Sequence, residues 1–228
     1  MGPVDVAELV VERGARVVGI TGGVGAGKST FAAALATRLA DAEVVGTDGF
    51  LFPNAALEAR DLTARKGYPE SFDRDALQAF VAAVRAGRPA TAPVYSHLTY
   101  DVVPGVEVVV EGGGPLLLEG LHLGHPELGL RDDIDLLVHL DAADEDMERW
   151  YLRRFQGLRS EAATDPTAFL HGLTQVMSPD DLDAMALGVW EAVNLKLLHE
   201  VVRPAAAAAD VVVHFGPDHE VVRTELRP

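Results

Sequence analysis

Eight residues, Gly22 to Ser29 (GGVGAGKS), carry the most specific chemistry in the chain. They fit G-x-x-x-x-G-K-[ST], a loop that cradles phosphate in backbone amides. Gly22, Gly23, Gly25 and Gly27, with Val24 and Ala26 between them, let successive N–H groups turn inward around an anion, because glycine adopts backbone angles closed to other residues. Lys28 adds a point charge for the outer phosphates, and the hydroxyl of Ser29, with Thr30 beside it, can sit on Mg²⁺. The chain has three lysines, Lys28, Lys66 and Lys196, and one of them falls where the motif requires it. This is a nucleoside triphosphate site; it leaves the phosphoryl acceptor open.

Phosphoryl transfer also needs a metal, charge neutralisation, and a group that orients or deprotonates the acceptor hydroxyl. Asp48, directly after the apolar run EVVGT, is the candidate base; an Asp-Gly pair is also a common turn, so capping is the competing role. Glu119, at the end of LLLEG, is the candidate metal-side carboxylate, with a turn role before Gly120 as its alternative. Arg149, Arg153 and Arg154 lie in DEDMERWYLRRF. They can close over phosphates, or they can pair along a solvated helix face with Asp144, Glu145 and Asp146. His122 and His125 stand three apart without a metal-binding spacing and read as structural. His97, with Tyr95 and Tyr100 in PVYSHLTYDVVPG, can line a polar pocket or be merely solvated.

The elements that must position these groups alternate between strand and helix, which predicts a mainly parallel sheet flanked by helices in three layers, the P-loop NTPase type. Arg16–Thr21 (RVVGIT) reads as a buried strand and TFAAALATRLADA as the helix after the loop, so the helix N-terminus faces the phosphates. Further strands are expected at 43–47, 91–95, 106–111, 115–118, 134–140, 211–215 and 221–226. Helices are expected at 4–13, 54–65, 73–86, 143–159 and 179–202, with 143–159 as a small lid over a single domain, 1–228. The P-loop, Asp48 and Glu119 all fall at carboxyl ends of strands, where open sheets of this kind place their sites.

The 228 residues suit one such domain. A net charge of −16 argues against nucleic acid or an anionic membrane as the main partner. Cysteine is absent, so no disulfide framework or thiol nucleophile is available. No apolar run reaches the length of a membrane span, and the first residues carry acids rather than a basic leader, so a cytoplasmic protein is expected.

Longer motifs narrow the acceptor. Thr47–Asp73 (TDGFLFPNAALEARDLTARKGYPESFD), Thr91–Gly105 (TAPVYSHLTYDVVPG), LLLEGLH, WYLRRF, TDPTAF and WEAVNLKLL occur in order, and from about residue 16 onward the chain resembles bacterial type I pantothenate kinase. The resemblance implies ATP- and Mg²⁺-dependent phosphorylation of the primary hydroxyl of pantothenate, the first step toward coenzyme A. Asp48 then matches the catalytic acid that activates the hydroxyl, Lys28 and Ser29 the phosphate and metal contacts, and Arg154 the arginine near the transferring phosphate. Tyr95, His97, Tyr100, Tyr151 and Asn194 match the pantothenate pocket, and His219 the histidine beside adenine. The resemblance also suggests a homodimer. There are departures from the pattern. Only about twenty residues precede the P-loop, Ala33 stands where an arginine used in feedback by coenzyme A is common, the aromatic expected near Leu158 is missing, and His122 replaces an asparagine. They imply weak feedback by coenzyme A. They also keep open a related kinase for a sugar, nucleoside or specialised metabolite, and beyond that a nucleotide-binding regulatory protein.

Overall fold

The computed structural model describes residues 5–227. Helix α1 (Val6–Arg13) is capped by the Asp5 carboxylate and stopped by Gly14; Val4, where the helix was expected to begin, lies outside the described residues. Strand β1 (Val17–Gly22) is buried along its whole length and leads through the glycine loop into α2 (Lys28–Ala36). Next come β2 (Glu43–Gly46), a tight 3-10 turn at Thr47–Phe50, α3 (Asn54–Ala59) and α4 (Arg74–Arg85). Strands β3 (Ala90–Ser96) and β4 (Asp101–Val110) form a separate antiparallel hairpin. The chain continues with β5 (Leu116–Gly120), β6 (Leu136–Asp141), α5 (Asp144–Ala162), a short α6 (His171–Thr174), α7 (Pro179–Val189), β7 (Val211–Phe215) and β8 (Val221–Leu226).

The main sheet runs β2-β5-β1-β6-β7-β8. All its pairs are parallel except β7 with β8, so the expected mainly parallel sheet is what forms. Alternate residues of the central strands feed opposite faces. Val18, Ile20, Val138 and Leu140 pack with Met147, Trp150, Trp190 and Leu198 on one side. Val17, Leu116, Leu118 and Leu137 pack with Phe50, Leu77 and Phe80 on the other. Each such side chain contributes roughly 1.5–3 kcal/mol by leaving water, so the two layers clamp β1 and with it the mouth of the glycine loop.

Several boundaries differ from expectation. The helix after the loop ends at Ala36 rather than running through Ala42, where the Thr37 hydroxyl donates back to the Ala34 carbonyl and Asp41 turns into the left-handed region. The expected helix 54–65 breaks at Asp61 (φ 56°) into α3 and a 3-10 turn at Thr63–Arg65, because the Leu62 amide returns to the Leu57 carbonyl. Strand β4 begins at Asp101, five residues before the strand expected there, because β3 pairs with it as a ribbon. The long helix expected at 179–202 is one continuous rod, but Trp190–Asn194 and Leu198–Val202 are π-helical turns.

Among the described residues, no helix is long and apolar enough to cross a membrane.

Candidate active site

The glycine loop is held from outside as well as by its own conformation. Gly25 sits at φ 83°, and a Cβ there would lie 2.9 Å from the Met147 carbonyl and 3.2 Å from the Tyr151 amide. Helix α5 therefore packs directly on the loop, and only glycine permits so close an approach. Lys28 Nζ donates to the carbonyls of Gly22 (3.1 Å) and Gly23 (2.9 Å). Burial lowers its pKa, while Glu119 and Asp48 favour its charge.

The Ser29 hydroxyl donates to Glu119 Oε1 at 2.8 Å, joining the start of α2 to the end of β5. Two hard oxygen ligands side by side fit Mg²⁺, which takes one or two protein oxygens and completes its shell with phosphate and water. No cage of three or more His, Cys, Asp or Glu side chains stands among the described residues, so a cation here depends on phosphate oxygens for the rest of its shell.

Asp48 lies in the 3-10 turn after β2. Gly49 beside it has no room for a side chain, since a Cβ would stand 1.9 Å from the Pro93 carbonyl. That close approach packs β3 against the turn, and the charge of Asp48 is felt by the Tyr95 and Tyr100 phenols. Burial raises the pKa of Asp48, and the charges of Lys28, Arg154 and Lys66 oppose the rise. The carboxylate thus feels the charges of the P-loop lysine, the helix α5 arginine and Lys66 together.

Tyr95 contacts His97 (5.2 Å between ring centres) and Tyr100 (6.3 Å), and Tyr100 in turn contacts Phe169 (5.0 Å). Burial pushes the pKa of Tyr95 and Tyr100 upward, keeping both phenols protonated. Burial also lowers His97 to about 4, so its ring is a neutral hydrogen-bonding group at pH 7. Tyr151 lies beside Trp190 with the rings tilted (5.5 Å between centres), and the nearby Asn194 side chain opposes the rise that burial causes in its pKa. The five residues expected at the acceptor thus fall in two groups, Tyr95, His97 and Tyr100 on the β3–β4 hairpin and Tyr151 and Asn194 on the later helices.

The three arginines of α5 divide. Arg149 pairs with Asp146 at 2.5 Å, as a solvated helix face would. Asp144 is bound to Arg203 and His199 instead. Arg154 joins neither pair, and its charge is felt by Asp48, Tyr95, His97 and Tyr151. His219, at φ 61° in the β7–β8 turn, stacks on Trp150 (3.6 Å) and lies over Gly27. It therefore borders the glycine loop. His122 donates to the Gly67 carbonyl and His125 caps a 3-10 turn, both structural contacts.

Lys66 is the group that motif reasoning left without a role. Its ammonium donates to Asn54 Oδ1 (2.7 Å) and the Tyr100 carbonyl (2.6 Å) and lies over the Tyr100 ring. Its place in RKGYPESFD was visible, but its neighbours come from α3 and the β3–β4 hairpin, which spacing does not reveal. Burial lowers its pKa to about 8, against the pull of Asp101 and Asp48. It is charged below that pH and neutral above, so acceptor KM should rise as pH passes through about 8. Lys66→Met should remove that dependence, and a KM–pH profile checks it.

A glycine loop between a buried parallel strand and a helix, with its lysine and serine in place, defines a P-loop protein. Residues 17–159 match the phosphoribulokinase/uridine kinase family, and the chain belongs to that family. A pantothenate kinase of Streptomyces avermitilis is 45% identical over 227 residues, covering 92% of this chain and 69% of its own. One from Sorangium cellulosum is 43% identical, covering 92% and 72%. Among solved structures, a kinase from Silicibacter sp. TM1040 named for a fructose transport system superposes with TM-score 0.66 at 26% identity, over 90% of this chain and 96% of that one.

Proposed function

We propose that the chain transfers the γ-phosphoryl group of ATP to the primary hydroxyl of pantothenate. The observation that carries this reading is Asp48, a buried carboxylate that feels the charges of Lys28 and Arg154 and whose own charge acts on the Tyr95 and Tyr100 phenols. The names and extent of the relatives support pantothenate as acceptor. Asp48 accepts the hydroxyl proton as the oxygen attacks the γ-phosphorus, Lys28 and Arg154 hold the phosphate oxygens, and ADP leaves along the glycine loop. Ser29 and Glu119 would hold Mg²⁺, which neutralises charge on the β- and γ-phosphates when bound. Helix α5 serves as the lid, and His219 with Trp150 as the base-side wall.

Coupled ADP release with and without pantothenate tests the reading directly. A second acceptor class has its own support in the likeness to the kinase named for fructose transport. A panel of sugars and sugar acids beside pantothenate separates the two, and the acceptor with the higher kcat/KM decides. Ala33 on the exposed side of α2 offers a methyl group and no charge. Coenzyme A should therefore inhibit weakly. Titration against ATP checks this, and potent competitive inhibition would contradict it.

A further inference from the structure

His122 is the changed residue in LLLEGLH, and it is almost wholly buried, at 1% exposure. Its Nε2 stands 2.5 Å from the Gly67 carbonyl oxygen, while Nδ1 is buried with no partner among the described residues. An orphaned ring nitrogen destabilises a core, so packing alone favours Leu or Phe here; what the ring adds is the hydrogen bond. Burial lowers the ring to about 4, so it is neutral at pH 7 and donates through Nε2–H. Gly67 is gripped from its other side as well: its amide donates to Ser71 Oγ at 3.0 Å, and that hydroxyl donates to the Tyr68 carbonyl at 2.6 Å. The edge of the Phe72 ring limits the imidazole, with ring centres 5.9 Å apart. The residue before this clamped glycine is Lys66, whose ammonium is held by Asn54 and the Tyr100 carbonyl and whose charge favours the Asp48 carboxylate. Three residues before His122 is Glu119, in contact with Ser29.

We propose that His122 is a positioning residue: by holding the Gly67 carbonyl it sets where the Lys66 ammonium stands relative to Asp48. The acceptor side is thereby tied to the strand end that carries Glu119. The proposal rests on the kinase reading for its kinetic consequences, but its structural core can be measured without turnover.

The test compares His122→Leu, which removes the donor, with His122→Gln, which can present an N–H at similar reach. In His122→Leu, KM for the acceptor should rise on the order of tenfold, the scale of one lost hydrogen bond, with KM for ATP unchanged. The acid limb of kcat/KM should move to higher pH, because Lys66 no longer helps keep the Asp48 carboxylate ionised. His122→Gln should restore both. Independently, Lys66 Nζ can be titrated by NMR, since only three lysines contribute signals. It should titrate near 8 in the parent protein and shift toward the ordinary lysine value in His122→Leu. If His122→Leu fails to fold, His122→Asn, too short to reach Gly67, should show the same shifts. An unmoved acid limb with both KM values changed equally, or an unmoved Lys66 titration in a folded variant, overturns the proposal. A parent protein that shows the Lys66 titration but releases no ADP with any acceptor sinks the kinase reading instead.

Discussion

Asp48→Asn should lower kcat by about a hundredfold or more, the usual scale for loss of a general base, and leave ATP affinity unchanged. The side chain keeps its shape, so the Thr47–Phe50 turn and its contact with β3 survive; what is lost is the acceptor for the hydroxyl proton. In the parent enzyme the pKa of Asp48 is raised by burial and restrained by Lys28, Arg154 and Lys66. Turnover should therefore fail as pH drops through a value above the ordinary carboxylate range, where the carboxylate takes up its own proton. The Asn variant should lack that limb. Steady-state kinetics across pH, with nucleotide binding measured separately, check both statements. Near-normal turnover in Asp48→Asn would require a different base.

Arg154→Gln should reduce kcat by roughly 10²–10³-fold, the effect of removing one preorganised charge from a developing anion, with a smaller change in acceptor KM. Its neighbour on the same helix is the control. Arg149 is already engaged by Asp146, so Arg149→Gln should leave kcat within about fivefold, the range of an exposed ion pair. Equal losses in the two variants would show that α5 acts as a diffuse positive surface rather than through one arginine.

Much of the fold was legible because its signals are local. The apolar runs of β1, β5, β6 and β7 and the glycine loop each declare themselves within a few residues. What escaped depended on distant partners. The break at Asp61 follows from the Leu62 amide returning to Leu57, a competition that helix propensity does not register. The division of labour between Arg149 and Arg154 was open in the sequence because helical spacing allowed both to pair, and Asp144 is claimed by Arg203 and His199, far along the chain. For Asp48-Gly49 the sequence offered a turn pair as the alternative to a base. The glycine's larger part is to let β3 come close, which only the packed structure reveals. Lys66 was visible as one of three lysines, but its contacts come from two separate segments, α3 and the β3–β4 hairpin.

The π-helical turns at Trp190–Asn194 and Leu198–Val202 have a consequence for how such a pocket diversifies. Each holds one residue more than an α-turn would, so losing one residue returns regular helix and leaves the rod continuous. Such a deletion ahead of Asn194 would swing that side chain by about 100° around the helix axis, away from Tyr151. The wall facing the acceptor can thus be redrawn by a single codon gained or lost, while the sheet, the glycine loop and Asp48 stay where they are. Descendants of one phosphate-transfer core can change what they phosphorylate by counting residues rather than exchanging them.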